Sequence, residues 1–264
     1  MRDLRTLAAA AADLVVGMRC AGCELPGLQL CASCRGALRA SPRRCWPDPC
    51  PPGLLEPAPV PPWCSAAYAG VVRAVLLQYK ERGRDGLAGP LAALLAASIR
   101  ASLAAEQSAA CWALVPMASR RSTVRARGYD GVLLIARLAA GQLRRQGYDV
   151  RVRRALRHRR AVADQAGLSA TQRHENLRGA LRSVSAHWPP DRRVIVVDDV
   201  VTTGATLAAA AEALRDAGAP VVGAAVVAAT PRRSGRTSCV GATSRSLGLP
   251  KPSAAGYRSG HVNV

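Results

Sequence analysis

The stretch Val194-Ile195-Val196-Val197-Asp198-Asp199-Val200-Val201-Thr202-Thr203-Gly204-Ala205-Thr206 decides the fold. Val194 to Val197 is an apolar, β-branched run without alternation, which suits a strand buried on both faces of a parallel sheet. Asp198 and Asp199 follow at the strand's carboxyl end, and Thr202, Thr203 and Thr206 surround Gly204 just ahead of an Ala-rich helix. In that helix Leu207, Ala210, Ala211 and Leu214 form an apolar stripe, Glu212, Arg215 and Asp216 lie opposite, and Gly218 is placed to end it. Strand, polar turn and helix in this order predict an open α/β sheet, whose ligands sit at the carboxyl edge.

The polar residues suggest what such a ligand is made of. Free N–H groups at the helix N-terminus, with a dipole that favours anions by roughly 0.3–1 kcal/mol, make a phosphate cradle to which the threonine hydroxyls add donors. Ionised carboxylates only accept hydrogen bonds, and vicinal sugar hydroxyls donate them, so Asp198 and Asp199 suit a ribose. Together these groups match ribose 5-phosphate. The whole stretch resembles the phosphoribosyl-diphosphate signature of type I phosphoribosyltransferases. A bland alternative is an acid-capped strand beside an N-capped helix. A Walker B strand is excluded, since no G-x-x-x-x-G-K-[ST] loop occurs in the chain.

Outward from this loop the text alternates. Val71 to Tyr79, Leu87 to Ala105, Gly131 to Gln146 and Ala205 to Ala217 read as helices; Trp112 to Pro116, Val150 to Arg153, Val194 to Val197 and Val221 to Val227 read as strands. A parallel sheet flanked by helices is therefore expected over residues 66–230. Ahead of it, residues 1–65 hold an N-terminal helix and a Cys-rich module ending in a Pro-rich section, Pro47 to Pro62, unsuited to helix or central strand. Residues 231–264, rich in Ser, Gly, Arg and Pro, are expected to form a basic disordered tail.

The formal charge of +20 predicts attraction to phosphorylated ligands or nucleic acid, although coding bias toward Arg and Ala produces the same balance. With Phe absent and aromatics at 3%, platforms for base stacking are scarce. Asp13 interrupts the apolar N-terminal run, and Leu87 to Ile99 falls short of the roughly 18 residues a membrane span needs. A cytoplasmic protein without a membrane span is expected.

Cys20-x2-Cys23 and Cys31-x2-Cys34 are two knuckles whose four thiolates can surround a structural zinc ion. Disulfides are the alternative, disfavoured in a reducing compartment. Cys45, Cys50 and Cys64 contain no second C-x-x-C, so a second metal site is left open, while Cys111 reads as a core residue.

Three further segments resemble the ComF family, competence-associated proteins with a phosphoribosyltransferase-like domain behind a cysteine-rich module. Val115-Pro116 followed by Arg120, Arg121, Arg125, Arg127, Gly128 and Tyr129 is similar to the family's V-P and R-R-G-F-N-Q segment, with Tyr129-Asp130-Gly131 in place of Phe-Asn-Gln. Gln165, Leu168, Arg173, Asn176 and Gly179-Ala180 resemble its Q-x-x-L, R-x-x-N-L and G-A-F pieces, a hood over the site. Lys80 lies in a segment resembling L-K-Y/F and is one of only two lysines, with Lys251.

The resemblance implies a magnesium-dependent phosphoribosyl transfer to a nitrogen acceptor. Asp198 and Asp199 would then be catalytic. Val200 to Thr206 (Val200, Val201, Thr202, Thr203, Gly204, Ala205, Thr206), Arg120, Arg121, Arg127, Lys80, Gln165 and Arg173 would bind phosphoribosyl diphosphate or a nucleotide. A rival function is non-catalytic: a sensing protein of DNA uptake, binding single-stranded DNA through Arg151, Arg153, Arg154, Arg157, Arg159 and Arg160. A third is a scaffold presenting a surface to a helicase partner.

Overall fold

The computed structural model describes residues 17–106, 111–159, 179–185, 187–189 and 191–231. The expected N-terminal helix, Gln165, Leu168, Arg173, Asn176, Arg160, Cys239 and the tail beyond Pro231 lie outside them.

The chain is a mixed α/β fold built on one six-stranded sheet. Its strands are β1 (Arg43–Arg44), β2 (Pro62–Ala67), β3 (Cys111–Pro116), β4 (Val150–Val152), β7 (Arg192–Val201) and β8 (Val221–Ala229). They lie in the order β1-β2-β8-β7-β3-β4, and every neighbouring pair but the antiparallel β1–β2 is parallel. A separate antiparallel ribbon pairs β5 (Leu156–His158) with β6 (Leu181–Ser183).

The helices are α1 (Ala32–Ala37), α2 (Gly70–Glu81), α3 (Ala88–Ala105), α4 (Arg121–Arg127), α5 (Gly131–Arg145) and α6 (Ala205–Arg215). One core packs α2, α3 and α5 with the Cys-rich segment against Ile195 and Val197; the other packs α6, Leu54 and the ribbon against Val194 and Val196. The β7 run is thus buried on both faces, as its unbroken apolar pattern predicts.

Asp85–Ala105 is long and apolar enough to cross a membrane by length and composition, but its side chains are core: Leu91, Leu94, Leu95 and Ile99 are all buried. A helix apolar nearly all round is what a helix covered by its neighbours looks like.

The sheet departs from expectation in its N-terminal edge. The boundary expected near Cys64 falls inside β2, which pairs with β8 from Pro62↔Ala224 to Ala67↔Ala229. Pro62 is the first residue of its strand, a position that proline tolerates. The Pro-rich section also contains a short 3-10 turn, Pro52–Leu54.

Two crossovers leave the centre of the sheet in opposite directions: β3 runs through α5 to β4 on one side, and β7 through α6 to β8 on the other. The carboxyl ends of β3 and β7 therefore flank a topological switch point, the crevice where open α/β sheets bind ligands.

Candidate functional site

Side by side at that crevice, β3 and β7 are paired from Cys111↔Arg192 to Pro116↔Val197, and Met117 N–H donates to Val197 O at 2.8 Å. The two acids come next on β7. They do not follow the strand, as expected, but lie within it, because the ladder to β8 continues through Asp198↔Val226 to Val201↔Ala229. Asp199 is buried and forms an ion pair with Lys80, Nζ to Oδ1 2.8 Å, from the last turn of α2. Asp198 receives the Asp199 N–H at 2.8 Å. Burial first, and the neighbouring Asp199 carboxylate second, push Asp198 well above the usual carboxylate range.

Val200 and Val201 are sheet residues, and Val201 O accepts Thr230 N–H at 3.0 Å. The chain then turns. Thr202, Thr203 and Thr206 are exposed, while Gly204 and Ala205 are buried. Gly204 takes φ +74° as the N-cap of α6 and has no side chain to cap it, although the Ala205 N–H donates to Thr203 Oγ1 at 3.4 Å. The first-turn N–H groups of such an end have no intrahelical partner. A Cβ on Gly204 would stand 2.6 Å from Pro47 Cγ and 3.2 Å from Leu54 Cδ1, so the Pro-rich section supports the turn from beneath. That section is held by Arg215 of α6, whose guanidinium donates to Gly53 O at 3.0 Å, to Glu56 O at 2.7 Å and to Ala58 O. Local sequence offered no signal for this long-range clamp.

Most of the segment from Arg120 to Arg127 is the short helix α4, closed by Gly128 at φ +79°. Arg120 and Arg121 line a cavity of about 740 Å³ at the end of β3, together with Arg154, Arg157, Arg159 and Arg182. Arg127, at the far end of α4, is not in that lining. Asp130 is: its Oδ1 caps α5 by accepting Leu133 N–H at 3.2 Å, and accepts the Ser119 hydroxyl at 2.8 Å. His158 Nε2 lies 2.7 Å from Ala118 O and ties the ribbon to the end of β3. The rings of Tyr129 and Tyr79 meet at a tilt of 51° with centres 5.6 Å apart; Tyr129 donates to Tyr79 O at 2.9 Å and Tyr79 to Gly131 O at 2.8 Å. Asp130 and Tyr129 thus have structural partners where the ComF pattern has Asn and Phe.

The geometry sets carboxylates, exposed hydroxyls, an open helix N-terminus and a guanidinium-lined cavity along one sheet edge, suited to a sugar with phosphate groups. Residues 131–240 match the family model of the phosphoribosyl transferase domain. The match contains β7, the threonine turn and α6, and begins after Lys80, β3 and α4. A phosphoribosyltransferase-like function follows for the phosphoribosyl transferase domain, and with it a phosphoribosyl diphosphate or nucleotide ligand. No curated protein matches the chain.

The second site lies in the Cys-rich segment. The sulfurs of Cys20, Cys23, Cys31 and Cys34 lie within 4.8 Å of one another and could hold a metal ion, the one such group among the described residues. Burial pushes the Cys20 thiol up, but N–H donors from Cys31, Gly22 and Cys23 outweigh it and bring it down to about 6. Cys64 is buried in β2 and is drawn down to about 7, chiefly by the Cys45 side chain. Cys111, expected in the core, is half-buried at the start of β3 and donates to Asp149 Oδ2 at 3.0 Å.

Proposed function

We propose that the chain binds phosphoribosyl diphosphate with magnesium and transfers its phosphoribosyl group to a nitrogen acceptor. The observation that carries this reading is the Pro116↔Val197 pairing, which sets the Arg120–Arg121 wall beside the strand that holds Asp198 and Asp199.

Thr202, Thr203 and Thr206, with the N–H groups opening α6, hold the 5-phosphate. Asp198 and Asp199 accept hydrogen bonds from the ribose hydroxyls and stabilise positive charge developing at the anomeric carbon. Arg120 and Arg121 hold the diphosphate through charge-assisted hydrogen bonds. Lys80 pairs with Asp199 and orients its carboxylate. Asp198 and Asp199 offer the hard oxygen donors that a divalent cation prefers and would hold magnesium, which would offset the leaving group's charge. Gln165 and Arg173 belong to the hood in this assignment, and Arg127 to the outer reach of the diphosphate wall.

For the Cys cluster we propose structural zinc. Cys23 Sγ and Cys31 Sγ lie 3.7 Å apart, and zinc–sulfur bonds of about 2.3 Å in a tetrahedron give sulfur–sulfur edges of about 3.8 Å. Four sulfur ligands leave no open position for chemistry. The cluster ahead of the transferase domain supports the ComF assignment, with a cytoplasmic place in DNA uptake.

Isothermal titration with phosphoribosyl diphosphate and magnesium tests the reading. Wild type should bind one equivalent, and Asp198→Asn/Asp199→Asn should lose most of the affinity. No heat with wild type sinks the enzyme assignment. Detection of released diphosphate with candidate bases and ammonia then separates turnover from sensing.

A further inference from the structure

The ribbon wall of the cavity carries more positive charge than the donor's diphosphate accounts for. Arg157 of β5 stands directly opposite Arg182 of β6 in the antiparallel register. Like charges in that position are destabilising. Arg154 and Arg159 line the same cavity, and all four side chains are exposed. Among the described residues their guanidinium groups have no carboxylate or hydrogen-bonding partner. Their neighbours do: Arg151 pairs with Asp149 at 3.7 Å, and Arg153 lies over the Trp188 ring at 5.0 Å. Asp130, the acid in the cavity lining, already serves α5 and Ser119.

The two walls are distinct. Arg120 and Arg121 stand on the segment after β3, next to β7; the four others stand on the ribbon and the turn leading to it. His158, bound to Ala118 O, spans from one to the other. A volume of about 740 Å³ lies in the upper part of the roughly 300–1,000 Å³ range of small-molecule sites. Magnesium held with the donor would offset part of the diphosphate's charge. The ribbon arginines are left for a second anion.

We propose that the ribbon wall binds a phosphate carried by the acceptor, so that the acceptor is a phosphorylated small molecule rather than a free base. This rests on the phosphoribosyl-transfer reading above. The acceptor nitrogen's lone pair forms the bond to the anomeric carbon as the carbon–oxygen bond to diphosphate breaks. Diphosphate leaves with the bonding pair, and the proton displaced from nitrogen passes to diphosphate or solvent. Arg157 and Arg182 grip the acceptor's phosphate and so aim its nitrogen across the cavity. A single-stranded nucleic acid is the less suited occupant, because among the described residues no Phe, Tyr or Trp lines the cavity to stack its bases.

The test uses the full chain in two titrations. The first, phosphoribosyl diphosphate with magnesium, establishes the donor site; no binding removes both the donor reading and this proposal. The second adds phenyl phosphate, or phenol as its control, to the donor-saturated chain; neither probe has a nitrogen to react. The expected result is a second equivalent of phenyl phosphate bound at least ten-fold more tightly than phenol. Arg157→Ser/Arg182→Ser should abolish that difference while changing donor affinity less than three-fold, and Arg157→Lys/Arg182→Lys should restore part of it. Three results overturn the proposal with the donor reading intact: no second equivalent, an equal loss of donor affinity in the Ser variant, or affinity that climbs with the length of a single-stranded oligonucleotide.

Discussion

The hydroxyl of Tyr129, just past the arginine-bearing helix α4, donates to the main-chain carbonyl of Tyr79, the residue before Lys80. One hydrogen bond thus joins the segment after β3 to the helix end that presents the Asp199 counterion. Tyr129→Phe removes this link and leaves the tilted ring contact. One such bond contributes about 0.5–1.5 kcal/mol, so chemical denaturation should show a loss in that range. Donor affinity should fall several-fold, because Lys80 is less firmly placed.

Removing Lys80 itself has a larger effect on the site than on the surface charge. Lys80→Met leaves the buried Asp199 carboxylate beside Asp198 without its cation. Lys80 is itself 29% exposed, so the destabilisation should fall below the 3–5 kcal/mol of a fully buried pair, at about 1–3 kcal/mol. A double-mutant cycle with Asp199→Asn measures the coupling, and a value indistinguishable from zero rejects it.

Acidification should stabilise the ligand-free protein locally at Asp198. Its folded-state pKa is raised above 3.8, so the folded chain holds a proton that the unfolded chain has released. Stability from this group is therefore highest at low pH and falls as pH rises through the window from about 4 to the folded-state value. Asp198→Asn removes the penalty: its Tm at pH 7 should exceed wild type by roughly 2–4 °C, with the gap closing as pH approaches 4. The same variant should bind the donor poorly, so stability and binding change in opposite directions.

Much of this architecture was legible in the sequence, for physical reasons that differ by element. The β7 run, the helices α2, α3, α5 and α6 and the strand β8 carry their own periodicity or β-branched composition, and their bounds fall within a few residues of expectation. Knuckle spacing alone brought the four sulfurs together. The extension of β7 past Asp198 was not legible, since acidic residues end strands unless a partner such as Lys80 answers them. Nor was the Arg157–Arg182 opposition: three-residue strands have no period to read, and their pairing is set by a distant partner.

Gly204 and Gly128 offer a matched pair of substitutions. Both adopt positive φ, but a Cβ at Gly128 meets nothing within 4 Å, whereas one at Gly204 collides with Pro47. Gly128→Ala should cost only the conformational penalty of roughly 1–2 kcal/mol. Gly204→Ala should cost more and weaken donor binding at least ten-fold, as the threonine turn is displaced. Equal losses in thermal denaturation would remove Pro47 as the cause.

Metal removal should separate the two sites. A strong chelator acting on the protein with a thiol reductant present should release one zinc per chain, measured by a colorimetric zinc dye, and unfold the segment around Cys20 to Cys34. Hydrogen exchange should quicken there while β7 and α6 stay protected.

The clamp of Arg215 on Gly53, Glu56 and Ala58, with Pro47 seated under Gly204, bears on how the protein can be dissected. A truncation that starts at residue 66 discards the edge strand β1, most of β2 and the wedge beneath the threonine turn at once. Such a fragment should express as an aggregating sheet with an open edge and a collapsed turn, whereas one that begins at Ser41 keeps both. The threonine turn and the proline-rich segment thereby form one structural unit, to be kept or exchanged together in any engineered version.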